Sequence, residues 1–192
     1  RNVSLADVFK LVSKVRKRTQ IPLCFMLSYN LIYRYGIEKF YRDCEKVGVD
    51  GVLVPDLPPE DQEVGRILAG YAVDNIFFVA PTTAEERIKL IAENSKGFIY
   101  LISVAGITGK REKLTEDLPG LVSRVRKYSK LPIAVGFGIS NVKQAIEAAK
   151  IADGVIVGSA LVELVGKGKI KEVAKFVASL RKGLDTLPKP WF

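Results

Sequence analysis

Apolar residues along the chain follow two patterns that alternate. Short continuous apolar runs, such as IFFVA and GVIVG, are typical of strands covered on both faces. Between them lie longer segments whose apolar residues recur every three or four positions, as in amphipathic helices. These patterns predict strands at 22–28, 51–55, 75–80, 97–103, 132–135 and 154–157. They predict helices at 3–19, capped by Asn2 or Ser4, and at 37–47, 60–71, 84–94, 118–129 and 141–151, then two more, SALVELVG and IKEVAKFVASLRKGL.

The alternation of covered strands and helices predicts an α/β fold with a parallel sheet. The strand-helix unit recurs at roughly 25 to 30 residues and no G-x-G-x-x-G follows an early strand, which favours a barrel over a Rossmann sheet. A TIM (β/α)8 barrel has eight strands in about 250 residues, whereas six strands are predicted here. We therefore expect one domain over 1–192, a TIM barrel lacking its first strand-helix-strand, with open edges at the strands containing Leu23 and Val155.

Composition narrows the function classes. With 48% hydrophobic and 27% charged residues and no long apolar run, the chain has the balance of a soluble globular protein, and we expect a cytoplasmic one without a membrane span. The absence of histidine excludes Ser-His, Cys-His and His-metal chemistry. The net charge of +9 is spread over helix faces without interleaved aromatic residues, which indicates no nucleic acid but suits a phosphorylated ligand. Cys24 and Cys44 are predicted to be buried thiols, and no metal site is expected.

Glycines mark the last three predicted strand ends, SVAGITG, GFGIS and GSA. In barrels the loops after the late strands and a short extra helix often bind phosphate through backbone N–H groups. Gly136 and Gly138 would let the backbone approach a ligand oxygen, and Phe137 would turn its ring into the pocket. The alternative is that the two glycines only form tight turns and that Phe137 packs in the core.

Four further positions leave two interpretations open. Thr108 and Ser159 are hydroxyl donors beside Gly109 and Gly158, or ordinary turn and N-cap residues. Tyr100 points its phenol into the pocket or packs in the core. Asp56 is the carboxylate at a strand end, and is either catalytic or a turn former before two prolines; general acid/base cleavage would need a second group.

Five ordered motifs resemble the alpha subunit of tryptophan synthase: GVDGVLVPDLPPE, APTTAEERIKLI, GFIYLISVAGITG, LPIAVGFGIS and ADGVIVGSALV. The resemblance implies a TIM-barrel lyase of tryptophan biosynthesis that cleaves indole-3-glycerol phosphate to indole and glyceraldehyde 3-phosphate. It also implies an α2β2 complex in which indole passes to a beta subunit holding pyridoxal phosphate. No metal or cofactor is implied in the alpha subunit itself.

Residue by residue, the resemblance implies a substrate site. Gly109, Gly138, Gly158 and Ser159 match phosphate-binding positions, and Phe137 flanks the indole pocket. Tyr100 and Thr108 match an active-site tyrosine and a loop threonine, and Asn30 would lie toward the beta subunit. Ser28 stands where the family commonly has an aromatic residue. The catalytic glutamate and aspartate of the family fall in a segment that this chain lacks.

The sequence therefore supports three hypotheses. The first is a tryptophan synthase alpha chain, inactive in this form because its acid/base pair is expected in the absent N-terminal segment. The second is a catalytically silent module that binds phosphate or the beta subunit. The third is another phosphate-binding barrel, an isomerase or epimerase, which would share the GFG and GS loops but not PDLPP with SVAGITG.

Overall fold

The computed structural model describes residues 3–102, 118–136 and 138–188. The described residues fall into two compact units. The first unit extends to residue 77 and includes 94–97, and the second contains 78–93 and the described residues from 98 onward. Each unit holds one sheet, and all strand pairs in both sheets are parallel.

The first unit has a three-stranded sheet in the order β1-β2-β3. Its strands are β1 (Cys24–Met26), β2 (Gly51–Leu53) and β3 (Asp74–Ile76). Its helices are α1 (Leu5–Arg16), α2 (Tyr29–Tyr35), α3 (Ile37–Val47) and α4 (Gln62–Ala69).

Local signals in the sequence account for the helix ends of this unit. Ser4 begins α1 with a capping box, because its hydroxyl accepts the Asp7 N–H at 3.3 Å while Asp7 accepts the Ser4 N–H at 3.1 Å. Gly48 ends α3 in the left-handed region, with φ +82°. The core is aromatic: the ring of Phe9 lies 5.7–5.9 Å from three others, those of Phe25, Tyr35 and Phe40.

The second unit has a four-stranded sheet in the order β4-β5-β6-β7. Its strands are β4 (Phe78–Val79), β5 (Ile99–Ile102), β6 (Ile133–Gly136) and β7 (Gly154–Val155). Its helices are α5 (Glu85–Asn94), α6 (Leu118–Arg126), α7 (Val142–Ala149), α8 (Ser159–Gly166) and α9 (Ile170–Leu184). Apolar side chains of β5 and β6 form the core with residues of α5 and α6, namely Ile99, Leu101, Ile133, Val135, Ile88 and Val125.

The structure confirms the parallel α/β architecture and most predicted elements, with two corrections. The predicted strand at 75–80 is two strands, because 74–76 pair with β2 and 78–79 pair with β5. The described chain therefore has seven strands instead of six. The helix α2 was not predicted at all. The single-domain organisation stays a prediction.

The prediction that Cys24 is buried is wrong. Within the described residues β1 is an edge strand, paired on one side with β2, and its three residues are exposed, half-buried and exposed in turn. Cys24 is exposed, whereas Cys44 on α3 is buried as predicted. At the other sheet, β7 likewise pairs with one described neighbour, β6. These are the two edges expected to be open.

Candidate anion-binding site

The carboxyl ends of β5, β6 and β7 lie side by side at one edge of the second sheet. Ile102 pairs with Gly136, and Val135 pairs with Val155. The pairing continues beyond β7, where the Ile156 N–H donates to the Val135 carbonyl at 2.8 Å. The segments containing Gly138 and Gly158 therefore leave the sheet at the same edge, as the predicted site requires.

Three of the predicted site residues cannot be placed. Thr108 and Gly109, in the segment after β5, lie outside the described residues, and so does Phe137. Their roles stay predictions. Tyr100 and Gly136 lie on the adjacent strands β5 and β6, and Gly138 and the start of α8 follow β6 and its neighbour β7.

Tyr100 explains the glycine at position 136. Tyr100 is 4% exposed on β5, and its ring packs against Phe78 with centroids 4.8 Å apart. Although Tyr100 pairs with Ala134, its phenol reaches the last residue of β6, where the oxygen and ring carbons fill the space of a Cβ at Gly136. Packing therefore demands glycine here without any ligand, and the Tyr100 hydroxyl lies toward the carboxyl edge of the sheet.

Glycine is required at position 138 for a different reason, the conformation of its own backbone. Its φ is +85°, in the left-handed region that costs an ordinary L-residue about 1–2 kcal/mol. The turn leads into α7, whose N-cap is Asn141: its side chain accepts the Gln144 N–H at 2.9 Å, and Gln144 accepts the Ser140 N–H at 2.9 Å. The amino end of α7 is thus capped by its own side chains.

The amino end of α8 differs from that of α7. No side chain caps α8, and its first turn carries no acidic residue. Gly158 has an ordinary φ of −113°, and no atom of another described residue lies within 4 Å of the position its Cβ would take. Gly158 and Ser159 are exposed. Since neither its φ nor a described neighbour demands glycine at 158, its place before an uncapped helix suits the close approach of an anion.

The charge around this edge also suits an anion. The described residues of 136–141 and of 156–162 include no Asp or Glu. The positive end of the α8 dipole is therefore not neutralised by a carboxylate in either segment. We call residues 136, 138–141 and 156–162 the glycine rim.

Asp56 lies in the first unit and has a structural partner. Its Oδ1 accepts the N–H of Tyr29, the first residue of α2, at 2.7 Å. Ser28 occupies the N-cap position of α2 but makes no capping bond with its side chain. Asp56 and Ser28 also line a surface depression together with Met26, Leu27 and Pro55. This contact favours a structural role for Asp56 over a catalytic one, and the role it shows is that of a cap of α2.

Other site types find no support within the described ranges. There, no group of three or more Cys, Asp or Glu side chains is placed to hold a metal ion. No helix described in the two units combines the length and apolar character needed to cross a bilayer.

Comparison with known proteins decides the family. The model of the tryptophan synthase alpha chain family matches residues 1–187. The chain belongs to this family. It is 42% identical over 190 residues to the tryptophan synthase alpha chain of Thermoanaerobacter sp. (strain X514), covering 96% of this chain and 72% of that one. With the alpha chain of Dehalococcoides mccartyi it shares 46% identity over 173 residues, covering 89% and 68%.

A solved structure of the alpha-chain family's complex confirms the fold. A chain of the tryptophan synthase α2β2 complex from Pyrococcus furiosus superimposes with a TM-score of 0.86 at 34% identity, covering 94% of this chain and 75% of that chain. The fold class predicted from the sequence, an α/β TIM barrel, is thereby confirmed.

Proposed function

We propose that this chain contributes the phosphate-binding part of the alpha-subunit site of tryptophan synthase, the site that carries out the retro-aldol cleavage of indole-3-glycerol phosphate to indole and glyceraldehyde 3-phosphate. The reaction is that of a carbon-carbon lyase, and the family match over 187 residues supports it. The observation that carries the proposal is the glycine rim, in which the ends of β6 and β7 lie side by side and β7 leads to the uncapped helix α8. The alternatives of a silent binding module or a sugar-phosphate isomerase have no comparable support.

The substrate phosphate is proposed to bind at the glycine rim. The first-turn N–H groups of α8 and the helix dipole stabilise a dianion. Gly158 leaves open space beside these groups, and Ser159 adds a hydroxyl donor. Gly138 lies at the same edge, and Gly109 and Thr108 are proposed to complete the site. Phe137 is proposed to flank the indole ring.

The acid/base pair is proposed to lie outside the described residues. Within them, Asp56 is the carboxylate found within three positions after a strand, and it caps α2. The chain spans 72% of the length of its Thermoanaerobacter relative, so part of the family's length has no counterpart here. We place the two carboxylates in that part. The 192-residue chain is then expected to bind phosphate but not to release indole.

The partner is proposed from the family. The Pyrococcus structure is a complex of two alpha and two beta subunits. We propose that this chain binds a beta subunit in the same stoichiometry, and that Asn30, on the second helix of the chain, faces that subunit. Pyridoxal phosphate belongs to the beta subunit, and the alpha subunit needs no cofactor. A cytoplasmic location stays a prediction.

An indole-release assay tests the proposed roles. Indole-3-glycerol phosphate is incubated with this chain, with its Asp56→Asn variant, and with the intact Thermoanaerobacter alpha chain as the positive control. We expect indole from the control alone. Indole release by the 192-residue chain would contradict the placement of the acids, and loss of that release in Asp56→Asn would make Asp56 catalytic.

A further inference from the structure

A short sequence repeat occurs once in each of the two units. LVSKVRKRTQIPL at 11–23 recurs as LVSRVRKYSKLPI at 121–133, with seven of thirteen residues identical. DGVLV at 50–54 recurs as DGVIV at 153–157. The first copy covers the end of α1, the residues leading up to β1 and the strand β2, and the second covers the end of α6, the first residue of β6 and the strand β7.

The second copy builds a clamp at the amino ends of β6 and β7. Arg126, the last residue of α6, donates to the Leu131 carbonyl at 3.0 Å and pairs with the Asp153 carboxylate. Asp153 accepts the Ile133 N–H at 2.7 Å and donates its own N–H to the Ile133 carbonyl at 2.9 Å. One carboxylate thus ties a helix end to the first residue of a strand.

The first copy builds the same clamp in the first unit. Arg16 donates to the Ile21 carbonyl at 2.5 Å and pairs with Asp50. Asp50 accepts the Leu23 N–H at 2.6 Å, and its N–H donates to the Leu23 carbonyl at 2.9 Å. The same Arg–Asp–strand contacts thus occur in both units, so the repeated sequence forms the same hydrogen-bonded arrangement twice.

The two clamps differ in burial and in what lies beyond them. The side chain of Asp153 is 8% exposed, whereas that of Asp50 is 50% exposed. A buried carboxylate depends strongly on its partners. At the far end of the second copy are Gly158 and Ser159, whereas the first copy has Pro55 and Asp56 there. Proline lacks an N–H and aspartate repels an anion, so the first copy has no anion site to position.

We propose that Arg126 and Asp153 are positioning residues for the phosphate site at the opposite end of the same two strands, an inference that rests on the proposed function. The ladder of β7 is two residues long, so few bonds fix its register on β6. The clamp adds the Asp153–Ile133 hydrogen bond at one end. A slip by one residue would move Gly158 relative to Gly138 by about 3.3 Å. The clamp therefore sets the spacing within the glycine rim.

Isothermal titration with inorganic phosphate tests this inference on wild type, Asp153→Ala, Asp153→Asn and the matched control Asp50→Ala. We expect Asp153→Ala to weaken phosphate binding roughly tenfold, as removing the supporting partner of a binding group does in metal sites. Asp153→Asn should lose less, because its amide oxygen still accepts the Ile133 N–H. Asp50→Ala should bind as wild type does. Equal effects of the two alanine variants on affinity, or none from either, would overturn the inference.

A second readout separates this inference from the proposed function. If wild type binds no phosphate, the proposed function fails, and the clamp is judged from the ligand-free backbone amide shifts of Gly138 and Gly158. Larger changes in Asp153→Ala than in Asp50→Ala support positioning, and unchanged shifts overturn it. A urea titration of each variant shows whether it folds. If Asp153→Ala does not fold, Arg126→Gln replaces it in the measurements of phosphate affinity and of the Gly138 and Gly158 amide shifts.

Discussion

The phenol of Tyr100 fills the space in which a side chain at Gly136 would begin. The two residues lie on adjacent parallel strands, β5 and β6, and Tyr100 is held in place by burial and by the ring of Phe78. Glycine is therefore required at position 136 because a neighbouring side chain occupies the Cβ space, and at position 138 because the backbone is left-handed. The two glycines of the GFG motif are needed for different physical reasons.

This contact predicts that a second substitution rescues Gly136→Ala. The added Cβ would overpack against Tyr100 and destabilise the chain by about 1–3 kcal/mol. Tyr100→Val removes the ring and should recover part of that loss, whereas Tyr100→Phe should not, because ring carbons also occupy the space. Urea unfolding of the single and double variants gives the coupling free energy. Purely additive costs would show that the two positions do not compete for space.

Alanine substitutions at the other two glycines of the rim should affect different properties, the free energy of unfolding at position 138 and phosphate affinity at position 158. Gly138→Ala should cost about 1–2 kcal/mol, because its φ of +85° is strained for any L-residue. Gly158→Ala should cost less than about 1 kcal/mol, because its φ is negative and its Cβ would meet no other described residue. It should nevertheless weaken phosphate binding. Urea titrations and phosphate calorimetry measure the two effects, and Gly158→Ala with unchanged affinity would remove Gly158 from the site.

Glu85 should contribute to acid sensitivity. Its Oε1 accepts the Tyr128 hydroxyl at 2.8 Å and the Lys127 ammonium at 3.4 Å. The Tyr128 hydrogen bond, then Lys127, lowers the pKa of Glu85 below its ordinary 4.5. Because the folded pKa is lowered, the stabilisation is complete above the ordinary pKa and is lost as pH falls through the folded pKa.

Tyr128→Phe should therefore raise the pKa of Glu85 toward 4.5 and flatten the loss of stability below about pH 4.5. An NMR titration of the Glu85 carboxyl carbon measures the pKa, and urea unfolding at several pH values measures the stability. The exposed Glu93 on the same helix provides the control variant, Glu93→Gln. An unchanged Glu85 pKa in Tyr128→Phe would show that the bond does not persist in solution.

The two cysteines should differ in reactivity. Burial, then Asp43, raises the pKa of Cys44 to about 12, and no part of this residue is exposed. Cys24 is exposed, although burial of its sulfur, then Asp50 and Asp74, raises its pKa as well. A thiol reagent at neutral pH should modify Cys24 slowly in the folded chain and Cys44 only in urea. Equal rates for both thiols in the folded chain would contradict the described burial.

The sequence predicted the elements whose signals are local and missed those that depend on distant residues. Periodicity located α3, α8 and α9 because their apolar stripes are continuous. The helix α2 was missed because YNLIYRY is rich in aromatic residues that suit strands, and its cap comes from Asp56, 27 residues away. The exposure of Cys24 follows from strand order, which a single strand's composition does not reveal.

The candidate site shows the same division. A tight turn at Gly138 was one of the two interpretations that the sequence left open, and a position for Gly158 at a neighbouring strand end follows from the order of the late parallel strands. The role of Gly136 could not be predicted, since only the structure shows that Tyr100 fills its Cβ space. The clamp residues Arg126 and Asp153 were overlooked although the repeat of LVS-x-VRK and DGV was legible in the sequence.

Phosphate binding by the glycine rim can be measured from the amide chemical shifts of the wild-type chain while inorganic phosphate is added. We expect saturable shifts at Gly138, Gly158 and Ser159, with residues of the Lys-rich helix α9 unaffected. Shifts confined to such basic helix faces, or none at the rim at saturating phosphate, would contradict it.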